Sequence, residues 1–246
     1  MTDVHKIIAV YGNSGSFKTV TSVNLAKAIV KADSKAKVAV IGIDHTKPLI
    51  PLLSAEASTE ISLGRILSCE KINETAIYKQ THLHNGIAYV GYNSDENLLT
   101  YAFPTGEKFD EFLMQMRHIF NYTIIDCSCD VSYRMTSKSL IGADEVLYLI
   151  SCDNDGLAFY KSQEPILISE QYGYNSYIRC LTVTGKFAHD VTTMENAISR
   201  VDAVIPYCEK VPQMWNEDRA LEAVPKSDYS KMLDAIADDL MKGGAK

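Results

Sequence analysis

The fold of this chain is decided near its beginning, by the stretch Ile7-Ile8-Ala9-Val10-Tyr11-Gly12-Asn13-Ser14-Gly15-Ser16-Phe17-Lys18-Thr19. Its first five residues form a continuous apolar run, which is typical of a strand buried on both faces of a parallel sheet. The following residues are mostly small and polar and end in lysine and threonine, and a helical pattern covers residues 18–30. A strand, a glycine-containing loop and a helix in this order predict the start of a βαβ unit.

The same alternation continues to the end of the chain. Apolar runs predict further strands over residues 38–43, 87–91, 122–125, 145–150, 177–183 and 203–206. Apolar residues at helical spacing mark two later helices, around residues 109–116 and 229–240. Strands that alternate with helices predict an α/β fold, in which a mostly parallel, twisted sheet carries helices on both faces. Because no linker or repeat interrupts the pattern, residues 1–246 are predicted to form a single domain.

The composition narrows the classes of function. The formal net charge of −7 disfavours broad electrostatic binding to nucleic acid or to anionic lipid. The sequence contains no run of about 18 apolar residues, and its first residues lack the basic and apolar segments of a secretory signal. We therefore expect a cytoplasmic protein without a membrane-spanning helix.

Cysteine and histidine give little support for a metal site. The six cysteines include no Cys-x-x-Cys pair, and Cys127 and Cys129 are interpreted as small packing residues beside a buried strand, with a metal or redox site as the alternative. His82 and His84 have the spacing of one strand face, but no third ligand lies near them in the sequence. Residues 81–84 are therefore predicted to form a solvent-exposed loop.

Residues 12–19, here called the phosphate loop, have the position and the composition of a phosphate-binding loop. Such a loop points backbone N–H groups inward at the start of a helix, while a lysine reaches the β- and γ-phosphates and a hydroxyl ligates Mg²⁺. Lys18 and Thr19 stand at the spacing for these two roles, but Phe17 replaces the glycine expected before the lysine. The alternative is an ordinary glycine- and serine-rich turn that opens a helix. The residues predicted to contact ATP or ADP are Gly12, Asn13, Ser14, Gly15, Ser16, Phe17, Lys18, Thr19 and Val20.

An acidic residue ends a later buried strand. Asp126 follows the apolar run 122–125, about a hundred residues beyond the phosphate loop, which is the position of an aspartate that holds Mg²⁺ through water in P-loop proteins. Thr19 and Asp126 are therefore predicted to form part of a Mg²⁺ site.

The segment Lys18-Thr19-Val20-Thr21-Ser22-Val23-Asn24-Leu25-Ala26 resembles the start of the first helix in the MinD/ParA family of P-loop ATPases, within the SIMIBI class. The resemblance implies ATP or ADP with Mg²⁺ as cofactors and a nucleotide-dependent homodimer. It also implies a signature lysine near the start of the loop, which reaches the phosphates of the partner subunit. Asn13 occupies that position here, and because asparagine is short and uncharged it cannot supply this charge. Dimer-dependent hydrolysis is therefore expected to be weakened.

The two aspartate motifs of the family are also altered. The family carries Asp-x-Asp after the second strand, and this chain keeps only the second acid, in Gly42-Ile43-Asp44. The resemblance implies that Asp44 lies near Mg²⁺ and the attacking water. Lys18 and Asp44 are therefore predicted to be catalytic, and Asp44 is predicted to join Thr19 and Asp126 at the metal. The alternative is that Asp44 caps the strand end or a following turn. The family motif Asp-x-Pro-x-Gly becomes Asp126-Cys127-Ser128-Cys129-Asp130. With Asn13 and Phe17, these departures indicate weak or absent hydrolysis.

The later part of the chain follows the family pattern less specifically. The resemblance implies that adenine lies near Thr184 and Pro206, although the Asn-Arg dipeptide of the family is replaced by residues 183–186. The C-terminal segment carries four acidic residues, Asp228, Asp234, Asp238 and Asp239, against three lysines, Lys231, Lys242 and Lys246. It is therefore interpreted as a helix that packs on the sheet, and direct membrane insertion is not expected.

Three functions remain open at this stage. The first is a nucleotide-dependent organiser that positions cellular cargo, such as a pilus or secretion apparatus at a cell pole or membrane, through a protein partner, as the TadZ/CpaE branch of the family does. The second is an active plasmid or chromosome partition ATPase that binds DNA, which the acidic charge disfavours. The third is a docking protein that keeps the fold without binding nucleotide; Phe17 favours it, while the presence of Lys18, Thr19, Asp44 and Asp126 argues against it.

Overall fold

The computed structural model describes residues 4–53, 60–185 and 188–242. Its strands and helices are β1 (Lys6–Gly12), α1 (Lys18–Ala32), β2 (Val38–Gly42), α2 (Leu49–Leu53), α3 (Leu63–Leu67), α4 (Glu74–Lys79), β3 (His82–His84), β4 (Ile87–Val90), α5 (Gly106–Ile119), β5 (Tyr122–Asp126), α6 (Arg134–Gly142), β6 (Glu145–Ser151), α7 (Asn154–Leu167), β7 (Ile178–Thr182), α8 (Val191–Ala197), β8 (Ala203–Ile205), α9 (Lys210–Asn216) and α10 (Asp228–Lys242). Every strand predicted from an apolar run is present, within one or two residues of its predicted ends.

The strands form one eight-stranded sheet in the order β3-β4-β2-β5-β1-β6-β7-β8. All neighbouring strands are parallel except β3, which pairs antiparallel with β4. β1 lies in the middle of the sheet, between β5 and β6. The predicted α/β fold with a mostly parallel sheet is confirmed.

The prediction of a loop over residues 81–84 is wrong, because His82–His84 forms the edge strand β3. Asn85 and Gly86 join β3 to β4 with positive φ angles of 47° and 78°. A two-residue Asn-Gly connection of this kind is a strong hairpin signal, since its backbone twist matches that of the flanking strands. This signal is present in the sequence, next to the two polar histidines of β3.

Helices cover both faces of the sheet, which explains why the central strands are apolar along most of their length. In β1, Ile7, Ala9 and Tyr11 belong to one hydrophobic core, while Ile8 and Val10 belong to the other. The first core includes the buried faces of α5, α6 and α7, and the second includes those of α1 and α10. Period-two alternation therefore assigns each strand residue to one of two buried faces rather than to a buried and a solvated face.

The short helix α2 lies close against the ends of two strands. A Cβ atom added to Gly42 would lie 2.4 Å from Cβ of Leu49, and one added to Gly91 would lie 2.9 Å from the same atom. Gly42 stands where the resemblance leads one to expect the first aspartate, and no side chain fits there without moving α2. The close packing of α2 therefore accounts for the glycine and fixes where the loop between β2 and α2 begins and ends.

Two further expectations concern membranes and thiols. Within the part of the chain that the structure describes, no helix is both long enough and apolar enough to cross a bilayer. All six cysteines are free thiols, and Cys127 is buried, as expected for a small packing residue.

Candidate nucleotide-binding site

The phosphate loop is folded around one carbonyl group. The backbone oxygen of Asn13 accepts hydrogen bonds from Oγ of Ser16 at 2.9 Å and from Nζ of Lys18 at 2.9 Å. Gly12 is required because a Cβ atom there would lie 2.0 Å from the carbonyl oxygen of Leu149 in β6. The loop thus closes tightly between β1 and α1, with the Lys18 ammonium group folded back over it.

The side chain of Asn13 points toward β6. Its Oδ1 atom accepts a hydrogen bond from the backbone N–H of Ser151 at 3.0 Å, and its Nδ2 atom donates to Oγ of Ser151 at 2.8 Å. The residue is only 3% exposed. Ser151 in turn donates to Asp153, which caps the first turn of α7 through the N–H of Gly156. Asn13 therefore anchors the loop to the next strand, and its side chain does not project outward as a charge for a partner subunit.

The side chains of Thr19 and Asp126 meet beside the phosphate loop. Oγ1 of Thr19 donates to Oδ2 of Asp126 at 2.5 Å. The other carboxylate oxygen, Oδ1, is buried and has no hydrogen-bond partner among the described residues. Burial raises the pKa of Asp126 to about 6, although the Thr19 hydrogen bond and the Lys18 charge oppose the rise. Burial also lowers the pKa of Lys18, against the opposing charge of Asp126.

A cavity of about 330 Å³ opens above these residues at the carboxyl ends of β1, β2 and β5. This edge of a parallel sheet is where α/β proteins generally bind ligands. The predicted site residues that line the cavity are Ser14, Gly15, Phe17, Lys18, Thr19, Val20, Asp44 and Asp126. Most of the predicted set is therefore brought together in one place.

Asp44 lies at the rim of this cavity and holds a turn. Its Oδ1 atom accepts hydrogen bonds from the backbone N–H of Thr46 at 2.9 Å and from Oγ1 of Thr46 at 2.6 Å. Asp44 therefore caps a turn in the structure. It also lines the same cavity as Asp126, and its charge adds to the larger effect of burial in raising the pKa of Asp126.

The region expected to hold adenine is nearly filled. Phe17 and Pro206 line a separate cavity with residues of β7, β8 and α10, and its volume is only about 10 Å³, roughly the space of one water molecule. Phe17 adopts the left-handed conformation, with φ 59° and ψ 32°, which favours glycine. Thr184 follows β7 and does not line this cavity, whereas the preceding residue, Val183, lines it together with Pro206.

The sequence did not indicate an aromatic cluster around His45, the residue that follows Asp44. The ring of His45 lies 5.5 Å from that of Phe103, 5.8 Å from that of Tyr133 and 6.5 Å from that of Tyr92, measured between centroids. It joins the loop after β2 to the loop after β5. Its four members come from three connections, after β2, β4 and β5, with no common spacing, so no local pattern could have indicated it.

The residues present fit the phosphates and the metal of a nucleotide complex, but not its base. The N-terminus of α1 has no side-chain cap, so its N–H groups remain available for an anion. The unpartnered Oδ1 atom of Asp126 and the hydroxyl of Thr19 are oxygen ligands of the kind that Mg²⁺ or its bound water accepts. The cavity beside Phe17 cannot admit a purine unless the ring moves.

This fold and this site define a protein of the P-loop class. The family model described as AAA domain matches residues 5–160, more than half of the chain, and the protein belongs to this family. Among curated proteins, none matches the sequence significantly.

Solved structures identify the fold as that of the ParA and MinD ATPases. A ParA family ATPase from Chlorobium tepidum TLS is 15% identical, covers 97% of this chain and 100% of its own, and has a TM-score of 0.82. The septum site-determining protein MinD from Pyrococcus horikoshii OT3, complexed with Mg-ADP, is 16% identical, with 96% of each chain covered and a TM-score of 0.76. A putative plasmid partition protein from Borrelia burgdorferi B31, bound to AMPPNP, is 15% identical over 96% of this chain and 98% of its own, with a TM-score of 0.71.

Proposed function

We propose that this protein binds ATP or ADP with Mg²⁺ at the phosphate loop and acts as a dimeric switch that positions cellular cargo, such as a pilus or secretion apparatus, with weak or absent hydrolysis. The observation that carries the proposal is the contact between Thr19 and Asp126 beneath Lys18. It leaves one carboxylate oxygen without a partner at the floor of an open cavity. Burying such an oxygen costs stability, and a bound ion removes that cost.

The roles of the chain's own residues follow from this geometry. Lys18 is held on the Asn13 carbonyl group and would exchange this neutral acceptor for phosphate oxygens, which form stronger, charge-assisted hydrogen bonds. Thr19 and Asp126 would hold Mg²⁺, which neutralises phosphate charge when it is bound. The free N–H groups at the start of α1 would receive the remaining phosphate oxygens.

Two features support slow hydrolysis. The position that the resemblance assigns to the signature lysine is taken by Asn13, which is neutral and bound to Ser151. One oxygen of Asp44 is engaged by both polar groups of Thr46, so this carboxylate is restrained as a base toward water. We propose further that residues 1–246 form a single domain. A protein partner would bring this domain to its cargo.

A docking protein that binds no nucleotide is the second candidate, and Phe17 is the observation that favours it. The cavity beside this ring is too small for a purine. In that case the fold would present its surface to a partner, and the phosphate loop would have no ligand.

Calorimetric titration with ATP and with ADP, in the presence and absence of Mg²⁺, separates the two candidates. We expect Mg²⁺-assisted binding to the wild-type protein and its loss in Lys18→Ala. Lys35→Ala is the matched control, because Lys35 is exposed in the turn between α1 and β2, away from the site. Binding that survives in Lys18→Ala, or no binding to the wild type, would overturn the nucleotide proposal. For the positioning role, a fluorescent fusion should form foci that Lys18→Ala disperses.

A further inference from the structure

A second lysine reaches the phosphate loop from the connection that follows β2. Nζ of Lys47, in the loop between β2 and α2, donates a hydrogen bond to Oγ of Ser14 at 2.9 Å. Both residues line the same cavity as Lys18 and Asp126. Besides the larger effect of burial, the charge of Lys47 helps to lower the pKa of Lys18 and opposes the rise in the pKa of Asp126. The Lys47 ammonium group therefore belongs to the electrostatic environment of the site.

The backbone around Lys47 is positioned from both sides. On the N-terminal side, the two hydrogen bonds from Thr46 to Asp44 form a tight turn. On the C-terminal side, Pro48 restricts Lys47 to extended conformations. The helix that starts at Leu49 is held against Gly42 by close packing. The lysine therefore has a fixed starting point, while its exposed, flexible side chain keeps freedom of movement.

The charge at the site favours a second cation. A nucleoside triphosphate adds several negative charges beside the acidic residues Asp44 and Asp126, and Mg²⁺ balances only part of them. Within the phosphate loop, Lys18 is the one positively charged residue, because Asn13 is neutral and directed into β6. Lys47 is a further positively charged residue of the cavity lining, and it comes from the same chain.

The geometry points to Lys47 as a second phosphate-binding lysine, which leaves Ser14 and contacts the terminal phosphate of a nucleotide bound to its own subunit. This inference rests on the proposed nucleotide binding and adds a specificity-determining residue to that site. Moving from a neutral hydroxyl acceptor to a phosphate oxygen replaces an ordinary hydrogen bond with a charge-assisted one. Because the lysine acts within one chain, neutralising the terminal phosphate does not require the partner subunit.

The test measures the binding of ATP, ADP and AMP, and of inorganic tripolyphosphate as a probe without a base, to Lys47→Ala by calorimetry. We expect Lys47→Ala to lower the affinity for ATP and for tripolyphosphate by roughly tenfold or more. The affinity for ADP should fall less and the affinity for AMP should not change, because Lys47 contacts only the terminal phosphate. Lys35→Ala should bind every probe as the wild type does. Thermal unfolding of both variants checks that each is folded.

Two further substitutions at Lys47 distinguish a ligand contact from a structural tie. If Lys47 acts on the phosphate, Lys47→Arg keeps most of the ATP affinity, while the neutral Lys47→Gln loses it as Lys47→Ala does. If Lys47 acts only by holding the loop through Ser14, Lys47→Gln, which can still donate a hydrogen bond to Oγ of Ser14, keeps the affinity, and the assignment is overturned. Equal binding of ATP and tripolyphosphate by Lys47→Ala and the wild type would also overturn it.

The same titrations separate this inference from the proposed function. A wild-type protein that binds tripolyphosphate through Lys47 but binds no ATP would sustain the role of Lys47 and remove the nucleotide function. ATP binding that depends on Lys18 but not on Lys47 would sustain the nucleotide function and remove the role of Lys47. If no probe binds to the wild type, both are wrong.

Discussion

The buried carboxylate of Asp126 lowers the folding stability of the protein without ligand, and this cost is what a bound cation would remove. Its pKa is raised from 3.8 to about 6 by burial, so the folded state binds this proton more tightly than the unfolded state does. Folding stability therefore falls as the pH rises from about 4 to about 6, and the full cost remains at neutral pH. A shift of this size corresponds to roughly 3 kcal/mol at most.

We predict that Asp126→Asn raises the stability of the nucleotide-free protein near pH 7.5 by about 1–3 kcal/mol, and that this gain disappears toward pH 4. The same variant should lose the Mg²⁺-dependent part of nucleotide binding. Denaturant unfolding at several pH values measures the first effect, and titration measures the second. Asp130→Asn, on the exposed part of the following loop, is the control. A variant less stable than the wild type at neutral pH would contradict this account of Asp126.

Phe17 combines an unfavourable backbone conformation with a position in the base region. A residue other than glycine in the left-handed region costs about 1 kcal/mol, and the ring of Phe17 borders the cavity of about 10 Å³ next to Pro206. We predict that Phe17→Gly raises the affinity for ATP relative to tripolyphosphate by roughly tenfold, because the base gains a place to bind. Phe17→Ala removes the ring but keeps the strained φ, so it should match Phe17→Gly in binding and be less stable. An unchanged ratio of the two affinities in both variants would show that the ring does not obstruct the base.

At the scale of elements, Asn13 couples the phosphate loop to β6 and, through Ser151 and Asp153, to α7. The pair of hydrogen bonds between Asn13 and Ser151 is buried. Removing one partner leaves the Ser151 N–H unsatisfied, which costs about 1–3 kcal/mol. β6 and α7 thus restrain the phosphate loop at Asn13, the position at which the resemblance implies the signature lysine.

We predict that Asn13→Ala lowers the free energy of unfolding by this amount and increases amide hydrogen exchange in residues 12–16 and at the end of β6. Exchange followed by mass spectrometry checks the local effect, and nucleotide affinity should fall because the loop is less ordered before binding. Asn216→Ala, at an exposed position at the end of α9, should do neither. Unchanged exchange in the phosphate loop of Asn13→Ala would mean that other contacts hold it.

The elements also show how far the sequence leads. Buried parallel strands are apolar throughout, so the central strands and the position of Lys18, Thr19 and Asp126 at their ends could be predicted. The direction of the Asn13 side chain could not, since it depends on Ser151, far away in the sequence. Lys47 carries no periodicity and follows a turn, so only the packing of α2 shows that it faces the phosphate loop.

At the scale of the whole molecule, the distribution of charge bears on whether the protein binds DNA. The chain carries a formal net charge of −7. His5, Lys37, Arg117 and His118 line a shallow depression near the amino ends of β1, β2 and β5. The phosphate loop lies at the opposite, carboxyl edge of the sheet, so a nucleotide bound there does not touch this basic surface.

We therefore predict weak binding to duplex DNA that is the same with and without ATP and is lost by about 150 mM salt, because a few phosphate contacts release few counterions. Fluorescence anisotropy of a labelled duplex, measured at several salt concentrations with ATP and with ADP, checks this. A double variant of Lys37 and Arg117 to alanine should abolish the residual binding, while Lys18→Ala should leave it unchanged. ATP-dependent binding that persists at this salt concentration, with a steep dependence on salt, would instead require a basic surface created by the nucleotide-bound dimer. The chain would then act as a partition ATPase despite its acidic charge.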